Sequence, residues 1–388
     1  MKILLLTDGI TPYVTGGMQK HSAMLSKLFT FEGHMVTLMY CVMSTASIPK
    51  KTEVNYSIFN SSTHKLHSIL GFQFPSLPKI PGHYVRASKI YSRLLLDNIV
   101  SDLENFDFIY AQGFTGHAFI NYKNQGNRIP PIFSNLHGLE MFQYAASLKV
   151  KLQHYLLRPL ACQISLGSDF NYSFGGQLKS TLKSIGVKKE QILECSHGIT
   201  SDWIYEKAPP KANRILNFVF IGRYERRKGI EELNEVLSEI TPTTPFQFHF
   251  IGDIPKEKRI ADSQIIYHGK ISDYAKMKEI LNQTDVLVCP SYAEGMPTVI
   301  FEAMALGNAI IATDVGAVNQ QVSSANGWLL SSPKPSLIKE ALKEAVYLPK
   351  DKLHIKKQNS LTLVRTEFTW EKVIKKKLRL AEHAITSS

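Results

Sequence analysis

Short apolar runs alternate with amphipathic segments along most of the chain, and this alternation predicts its secondary structure. Residues 2–7 and 34–41 are apolar and rich in strand-forming residues, and residues 17–31 between them carry apolar positions at helical spacing. Further strands are expected at residues 106–112, 131–136 and 161–166. Strands that alternate with helices are typical of a doubly wound parallel sheet, which binds ligands at the carboxyl ends of its strands.

One segment interrupts this pattern. Residues 69–74 are largely apolar, and Pro75, Pro78 and Pro81 follow within a few positions. Because proline fixes φ and removes a backbone donor, this density predicts a long apolar loop over residues 66–84. The sequence leaves open whether the loop faces a membrane, faces an acceptor or is simply packed on the protein.

A second alternating series follows a segment of linker composition at residues 206–212. Its strands are expected at residues 216–222, 246–252, 265–269, 285–289 and 309–313, and its helices at 230–240, 274–283 and 298–306. Helices continue after Ser336, and Trp370 begins the last one. We therefore predict three parts, at residues 1–205, 206–368 and 369–388, with a ligand cleft between the first two.

Composition and charge narrow the class of protein. With 44% hydrophobic and 20% charged residues among 388, the chain suits a globular protein of two domains. Four cysteines without CxxC spacing predict reduced thiols in the cytoplasm and no structural zinc. No apolar run reaches the roughly 18 residues that a membrane span needs.

The formal net charge of +12 includes a surplus of eight positive charges in residues 1–200 and of five in residues 351–388. This basic surface either serves solubility or contacts anionic lipid, which would place the protein peripherally on the inner face of the plasma membrane. Nucleic acid is disfavoured as a partner, since no binding motif accompanies the charge.

Glu294 and Glu302 are the most informative residues of the chain. They lie on either side of a turn between the predicted strand at 285–289 and the predicted helix at 298–306. The backbone amides of residues 295–298 begin that helix and favour an anion or a hydroxyl-rich ligand. Two acceptor carboxylates beside an anion site are suited to a nucleotide sugar.

Two turns with glycines add candidate phosphate contacts. Gly16 and Gly17 follow the first strand and precede a helix, where backbone amides can approach a phosphate closely. Arg223 and Lys228 follow the first strand of the second series, where two cations can stabilise a departing diphosphate. Residues 226–227 are expected to be solvated parts of the same basic turn.

His137 follows a predicted strand of the first series. At the carboxyl end of that strand it is expected to face the cleft and to have a function there. His197 ends another apolar run, and we expect it to be structural.

In this order, these elements resemble the retaining glycosyltransferases of family 4. That family has the GT-B fold of two facing Rossmann-like α/β domains, with a C-terminal helix that crosses back to the first domain. The resemblance spans nearly the whole chain and rests on Gly16-Gly17, His137-Gly138, Gly222-Arg223, Lys228-Gly229 and the segment from Glu294 to Glu302. The last element, two glutamates with seven residues between them, is the most specific.

The resemblance implies a role for each matching residue. Glu302 accepts hydrogen bonds from the nucleotide ribose, and Glu294 binds a hydroxyl of the donor sugar. Arg223 and Lys228 hold the diphosphate, while His137 lines the reaction centre. The implied catalytic residues are His137, Arg223, Lys228 and Glu294, and the implied donor-binding residues are Gly16, Gly17, Arg223, Lys228, Glu294, Gly295, Met296, Pro297, Thr298 and Glu302.

The resemblance also implies a reaction, the transfer of a sugar with retention of anomeric configuration and without a metal or other cofactor; the sequence contains no Asp-x-Asp motif. We expect a UDP-sugar as donor and a hydroxyl of a lipid-linked glycan as acceptor, in the synthesis of a bacterial O-antigen, capsule or lipopolysaccharide. The transferred unit is expected to be hexosyl or N-acetylhexosaminyl.

Three alternatives are kept open. They are a soluble transferase that makes a small glycoside or disaccharide, a GT-B-like sugar-nucleotide epimerase and a binding protein without catalysis. The last is disfavoured because the cations and both carboxylates are intact. His197 to Thr200 departs from the Asn-Gly-Val-Asp common in the family, so no contact is carried over to that turn.

Overall fold

Two doubly wound parallel sheets form the protein, and the predicted fold class is confirmed. The computed structural model describes residues 1–387 apart from 62, 146, 208, 210, 211 and 242. Three residues of the predicted linker at 206–212, and the last residue of the predicted third part, therefore lie outside the described residues. The positions of the predicted domain boundaries stay a prediction.

The first sheet has seven parallel strands within the described residues, in the order β3-β2-β1-β4-β5-β6-β7. They are β1 Lys2–Leu6, β2 Met35–Val42, β3 Ser68–Gln73, β4 Phe108–Gln112, β5 Ile132–Asn135, β6 Phe170–Ser173 and β7 Ile192–Glu194. The helices of this half are α1 Gly17–Phe31, α2 Lys51–Phe59, α3 His83–Asp97, α4 His117–Asn124, α5 Leu148–Gly167 and α6 Gly176–Ile185. Alternate side chains of β1 point to opposite faces of the sheet, so Leu4 packs in one hydrophobic core and Leu5 in the other.

The second sheet has six parallel strands within the described part of the chain, in the order β10-β9-β8-β11-β12-β13. They are β8 Leu216–Ile221, β9 Phe246–Ile251, β10 Ile265–Gly269, β11 Val286–Cys289, β12 Ala309–Thr313 and β13 Gly327–Leu330. Its helices are α7 Ile230–Ile240, α8 Tyr274–Gln283, α9 Thr298–Ala305, α10 Pro335–Tyr347 and α11 Lys350–Glu367. The strands and helices predicted in this half are confirmed to within a residue or two.

The strand predicted at residues 161–166 is wrong, since these residues belong to α5. Leu160, Ala161 and Ile164 are buried, which is the spacing of one helical face. A short apolar run does not distinguish a strand from a buried part of a helix. The strand of this region is β6, which follows α5.

The loop predicted at residues 66–84 is also wrong in part. Its apolar stretch forms β3, which pairs with β2 so that Ile69 lies opposite Leu38, and α3 begins at His83. The three prolines lie between these two elements, where no backbone donor is needed for a ladder or a helix. The effect of proline on the backbone is local, and it did not extend back over β3.

The end of the chain crosses back to the first domain, as predicted. Ile199 N donates to Phe368 O at 2.8 Å, and Trp370 N donates to Ile199 O at 3.0 Å. From this bridge the last helix, α12 Trp370–Thr386, lays Ile374 and Leu378 into the core of the first domain. The terminal helix thereby ties the two halves of the molecule together.

A buried ion pair fixes α11 beneath the second sheet. Lys357 Nζ donates to Asp285 Oδ1 at 2.8 Å, and the two side chains are 2% and 0% exposed. Asp285 Oδ2 also accepts from the backbone of Asn217 at 3.1 Å. Asp285 directly precedes β11, whose carboxyl end leads into the loop of Glu294, so the pair helps to position that loop.

We expect Lys357→Met to lower the free energy of unfolding by roughly 3–5 kcal/mol, because it leaves a buried carboxylate without its counter-ion. Urea denaturation measures this change. The matched control is Lys352→Met, which removes an exposed lysine of the same helix and should change the free energy by less than about 0.5 kcal/mol. Similar small effects of both substitutions would contradict a stabilising role for the pair.

Candidate active site

A cavity of about 500 Å³ lies between the two domains, at the carboxyl ends of both sheets. The loops that follow β1, β5, β8 and β11 supply its polar side, which is the edge where open parallel sheets bind ligands. The structure brings these predicted site residues together on its wall: Gly17, His137, Lys228, Glu294, Gly295, Met296, Pro297 and Thr298.

Glu294 is a buried carboxylate held by two donors. Lys228 Nζ donates to Glu294 Oε1 at 2.6 Å, and Ser291 Oγ donates to the same oxygen at 2.8 Å. Burial acts to raise the pKa of Glu294, but the nearby Lys228, with smaller help from Arg227 and Ser291, holds that pKa below its ordinary value. Glu294 is therefore an ionised hydrogen-bond acceptor in the cleft.

Arg223 and Arg227 do not lie where the sequence placed them. The Arg223 side chain is 76% exposed, pairs with Glu225 at 2.8 Å and is absent from the described lining of the cavity. Arg227 was expected to be solvated, and this is wrong, because it lines the cavity and approaches Glu140 of the first domain at 3.6 Å. Residues Arg226–Lys228 form one 3-10 turn, whose successive side chains point about 120° apart. A contact between Arg223 and a diphosphate stays a prediction.

The N-termini of two helices meet at the cavity, one from each domain. The helix α1 begins at Gly17 and α9 begins at Thr298; among the described residues, neither has a side-chain cap or an acidic residue in its first turn. Their first N–H groups favour a negatively charged ligand. A Cβ at Gly17 would meet nothing within 4 Å, so the backbone there borders open space, whereas Gly16 only caps the helix. Together with Lys228, these two termini form a site suited to a diphosphate.

Glu302 lies on a smaller adjoining cavity of about 120 Å³. Lys20 and Tyr274 line the same cavity. Burial raises the pKa of the Glu302 carboxyl, and the charge of Lys20 opposes this effect. Three residues line both cavities: Gly17, His197 and Thr298. One extended ligand can therefore reach from Glu294 past the two helix N-termini to Glu302.

The loop of Glu294 is held against the first domain by two contacts. The Gln143 side chain binds the backbone of Glu294 twice, since Nε2 donates to Glu294 O at 2.7 Å and Glu294 N donates to Oε1 at 3.1 Å. Gly138 and Gly295 approach so closely that a Cβ on Gly138 would lie 3.3 Å from the Gly295 Cα. The two domains are therefore in direct contact beside the cavity. Gln143 belongs to no motif, and sequence reasoning had no signal for it.

Three histidines are packed together where the first domain borders the cavity. The ring centre of His21 lies 5.1 Å from that of His137 and 4.9 Å from that of His197. His137 has a φ of 52°, and its Nε2 donates to Gln112 Oε1 at 2.6 Å, which leaves Nδ1 as an acceptor. Neither ring nitrogen of His21 has a hydrogen-bond partner among the described residues.

All three rings are neutral at pH 7. Burial lowers the pKa of His137 to about 3 and that of His197 to about 4, and it holds the pKa of His21 well below its ordinary value. The sequence predicted a function for His137 but treated His197 as structural, and it did not single out His21. One signal for His21 was available in the sequence. His21 lies four residues, about one helical turn, after Gly17 on α1 and therefore on the same side of that helix.

A buried cation behind the histidines comes from the terminal helix. Lys377 is 0% exposed, with Nζ 3.7 Å from the ring centre of Tyr172 and 3.2 Å from Tyr110 Oη. Among the ion pairs of the described residues, none includes Lys377, so the aromatic face and the phenol oxygen take the place of a counter-ion. Its charge adds to the effect of burial in lowering the pKa of His137 and of His197.

We expect the free energy of unfolding to fall as the pH drops below about 6.5. Unfolded histidines bind protons there, whereas His137 and His197 stay neutral in the folded protein until pH about 3 to 4. Near pH 5 each such histidine adds a slope of about 1.4 kcal/mol per pH unit. Urea unfolding between about pH 7 and pH 5 measures that slope.

His137→Asn should remove one such contribution, and asparagine tolerates the left-handed backbone of this position. His383→Asn, at an exposed position of α12, is the matched control and should leave the slope unchanged. The same slope in both variants would show that His137 is not held neutral by the fold.

Two observations concern a membrane and a metal ion as possible partners. No helix of the described residues is long and apolar enough to cross a membrane. In the same part of the chain, no group of three or more histidine, cysteine, aspartate or glutamate residues is placed to hold a metal ion. The expectation of a reaction without a metal stays a prediction.

The second domain is similar in sequence to known glycosyltransferases. Residues 216–346 match the family model described as "Glycosyl transferases group 1". TuaC of Bacillus subtilis, named as a glycosyltransferase of teichuronic acid biosynthesis, is 36% identical over 128 residues, which are 33% of this chain and 31% of TuaC. The match thus spans less than a third of the length of TuaC.

A second relative and a solved structure extend the similarity. The N,N'-diacetylbacillosaminyl-diphospho-undecaprenol alpha-1,3-N-acetylgalactosaminyltransferase of Campylobacter jejuni is 24% identical over 59% of this chain and 65% of its own. The sucrose-phosphate synthase structure from Thermosynechococcus elongatus covers 100% of both chains with a TM-score of 0.77 and 17% identity. Membership of family 4 in particular stays a prediction. The chain has the GT-B fold, and residues 216–346 match the model of the glycosyl transferases group 1.

Proposed function

We propose that the protein is a retaining glycosyltransferase of family 4. It transfers a hexosyl or N-acetylhexosaminyl unit from a UDP-sugar to a hydroxyl of a lipid-linked glycan in bacterial surface polysaccharide synthesis. One observation carries the proposal: two uncapped helix N-termini and Lys228 meet between a cavity with Glu294 and a cavity with Glu302. The order carboxylate, anion site, carboxylate matches the order sugar, diphosphate, ribose of a nucleotide sugar.

The donor lies along both cavities in this proposal. Glu294 accepts a hydrogen bond from a sugar hydroxyl, and Glu302 accepts from the ribose. Tyr274 and Trp203 on the wall of the cavity beside Glu302 provide aromatic surface for the base.

The reaction exchanges one bond at the anomeric carbon of the sugar. The bond to the phosphate oxygen breaks, and a bond to the acceptor oxygen forms on the same face, so that configuration is retained. The departing phosphate oxygen takes the proton of the acceptor hydroxyl. Lys228 and the N-termini of α1 and α9 stabilise the negative charge that develops on the diphosphate, and they are in place before the reaction begins.

His137 assists this exchange without adding charge. Because its pKa is lowered to about 3, the ring is neutral, and a hydrogen bond to a sugar hydroxyl positions the donor. A cationic ring at this place would instead compete with the anomeric carbon, on which positive charge builds as the bond to phosphate breaks.

The larger cavity leaves room for a second substrate. Tyr84, Phe114 and Leu157 of the first domain also line it. This space favours transfer over the alternative of an epimerase, which needs only the donor. The names of the two relatives, which refer to teichuronic acid and to a diphospho-undecaprenol sugar, support a lipid-linked glycan as acceptor over a small soluble sugar.

A product assay tests the proposal. The protein is incubated with UDP-hexoses and UDP-N-acetylhexosamines, each with undecaprenyl-diphosphate sugars or with free sugars, and the products are analysed by mass spectrometry and by NMR of the anomeric proton. We expect UDP release and a new glycoside that depend on the lipid-linked acceptor, with the anomeric configuration of the donor. Isomerised donor without any acceptor would contradict transfer in favour of an epimerase.

Two variants connect this activity to the site. Lys228→Met and Glu302→Gln should each lower kcat/KM by about 100-fold or more, because each removes a contact to the donor. Thermal melting of Glu302→Gln should stay close to that of the unmodified chain, whereas Lys228→Met should also melt at a lower temperature, because it leaves the buried Glu294 without its counter-ion. Lys256→Met and Glu257→Gln change exposed residues of the same domain and serve as matched controls. Near-normal turnover of both site variants would contradict the roles assigned to Lys228 and Glu302 in donor binding.

A further inference from the structure

We propose that the first half of α5 is a docking surface for an anionic lipid bilayer. The surface, called the docking face below, consists of Leu148, Leu152, Tyr155 and Leu156 with the flanking Lys149 and Lys151. The inference deepens the proposed function, on which it rests for its purpose, because it names what brings a lipid-linked acceptor to the cleft.

The apolar residues of the docking face point away from the protein. Leu148 is 85% exposed, Leu152 56%, Tyr155 52% and Leu156 37%. They recur at the spacing i, i+4, i+7 and i+8, which places them on one face of the helix. A stripe of this kind normally packs against a core, but the first buried residue among the described positions of α5 is Leu160. Three turns of the helix therefore present an apolar stripe to solvent.

The charged residues of α5 itself are all cationic, and an acidic residue, Glu140, lies nearby beside His154. Residues 141–168 contain Lys149, Lys151 and Arg158 and no aspartate or glutamate. Helix α3, which contacts α5, carries Arg86, Lys89 and Arg93 and one acidic residue, Asp97, which pairs with Arg93 at 2.8 Å. A helix with an apolar face and cationic flanks is suited to lie in the interface of an anionic bilayer.

The docking face adjoins the acceptor side of the active-site cavity. His154 and Leu157 lie on α5 next to the exposed residues in the chain, and both line the cavity. Tyr84 at the start of α3 lines it too and is 41% exposed, and Ile80 just before it is 57% exposed. A sugar on a lipid anchor can therefore enter the cavity while its anchor remains in the bilayer.

The exposed apolar residues and the lysines of the docking face together favour a bilayer over a protein as its partner. A stable protein interface is depleted of lysine in its centre and pairs charges of both signs, whereas the charged residues of α5 are cations alone. The negative surface of a bilayer complements the lysines over the whole face, and its interior accepts the leucines.

Vesicle flotation with the full chain tests the docking face. Vesicles of phosphatidylcholine mixed with phosphatidylglycerol should bind the protein at low salt about tenfold or more tightly than vesicles of phosphatidylcholine alone. Leu148→Ser with Leu152→Ser, and separately Lys149→Glu with Lys151→Glu, should each weaken that binding about tenfold or more. These side chains are exposed, so thermal melting and UDP binding should be unchanged.

Matched controls lie on the second domain. Tyr347→Ser with Ile355→Ser removes apolar side chains that are 67% and 53% exposed, and Lys350→Glu with Lys352→Glu reverses two exposed lysines. Both controls should keep the vesicle affinity of the unmodified chain to within about twofold.

Three results would overturn the proposal. They are no binding of the unmodified chain to the mixed vesicles, equal losses in control and docking-face variants, and self-association of the chain that the docking-face changes abolish. A chain that floats through this face but neither binds UDP nor transfers sugar would overturn the proposed function and leave the docking face intact.

Discussion

The positive ends of two helices from different domains face the same point of the cleft, and the rest of the site depends on this arrangement. The helix α1 starts at Gly17 after a central strand of the first sheet, and α9 starts at Thr298 after a central strand of the second. Bringing two such ends together is unfavourable unless negative charge lies nearby. The ionised Glu294 supplies part of it, and a ligand diphosphate supplies the rest, so ligand binding and domain closure favour each other.

A balance of charges surrounds this point. Lys228 is bonded to Glu294 and adds a cation to the diphosphate site, while Lys377 places a second cation behind the histidines. Burial and that charge hold His137 and His197 neutral. Because Lys377 belongs to the terminal helix, the segment that crosses back to the first domain contributes to the electrostatics of the site as well as to the stability of the fold.

Local pattern was sufficient for much of this structure. The strands β8 to β12 of the second domain, and the glutamates that follow β11, were predictable because apolar runs of strand length alternate there with clear helical spacing. The first domain was harder, because residues 161–166 form a buried stretch of helix that resembles a strand, and because prolines concealed the edge strand β3. The short strands β6, β7 and β13 were not predicted.

The sequence predicted the site residues that lie next to glycines. It did not predict the contacts that the two domains make across the cleft. Arg227 faces the cavity through the phase of a single 3-10 turn, and Gln143 reaches Glu294 from 151 positions away in the chain. The local sequence pattern determines neither the direction of each side chain in a short turn nor the way in which two domains approach each other. The docking face escaped notice for the opposite reason, since its helical spacing looks like that of a core-facing helix until the exposure of its residues is known.

The most direct measurement of the central claim is calorimetric titration of the protein with UDP and with UMP. UMP keeps the base and ribose but lacks the second phosphate group, which the helix N-termini and Lys228 are inferred to bind. We expect UDP to bind about tenfold or more tightly than UMP and Lys228→Met to abolish most of this difference, because a charge-assisted contact contributes about 1.5–3 kcal/mol. Equal affinities of UDP and UMP would contradict the account.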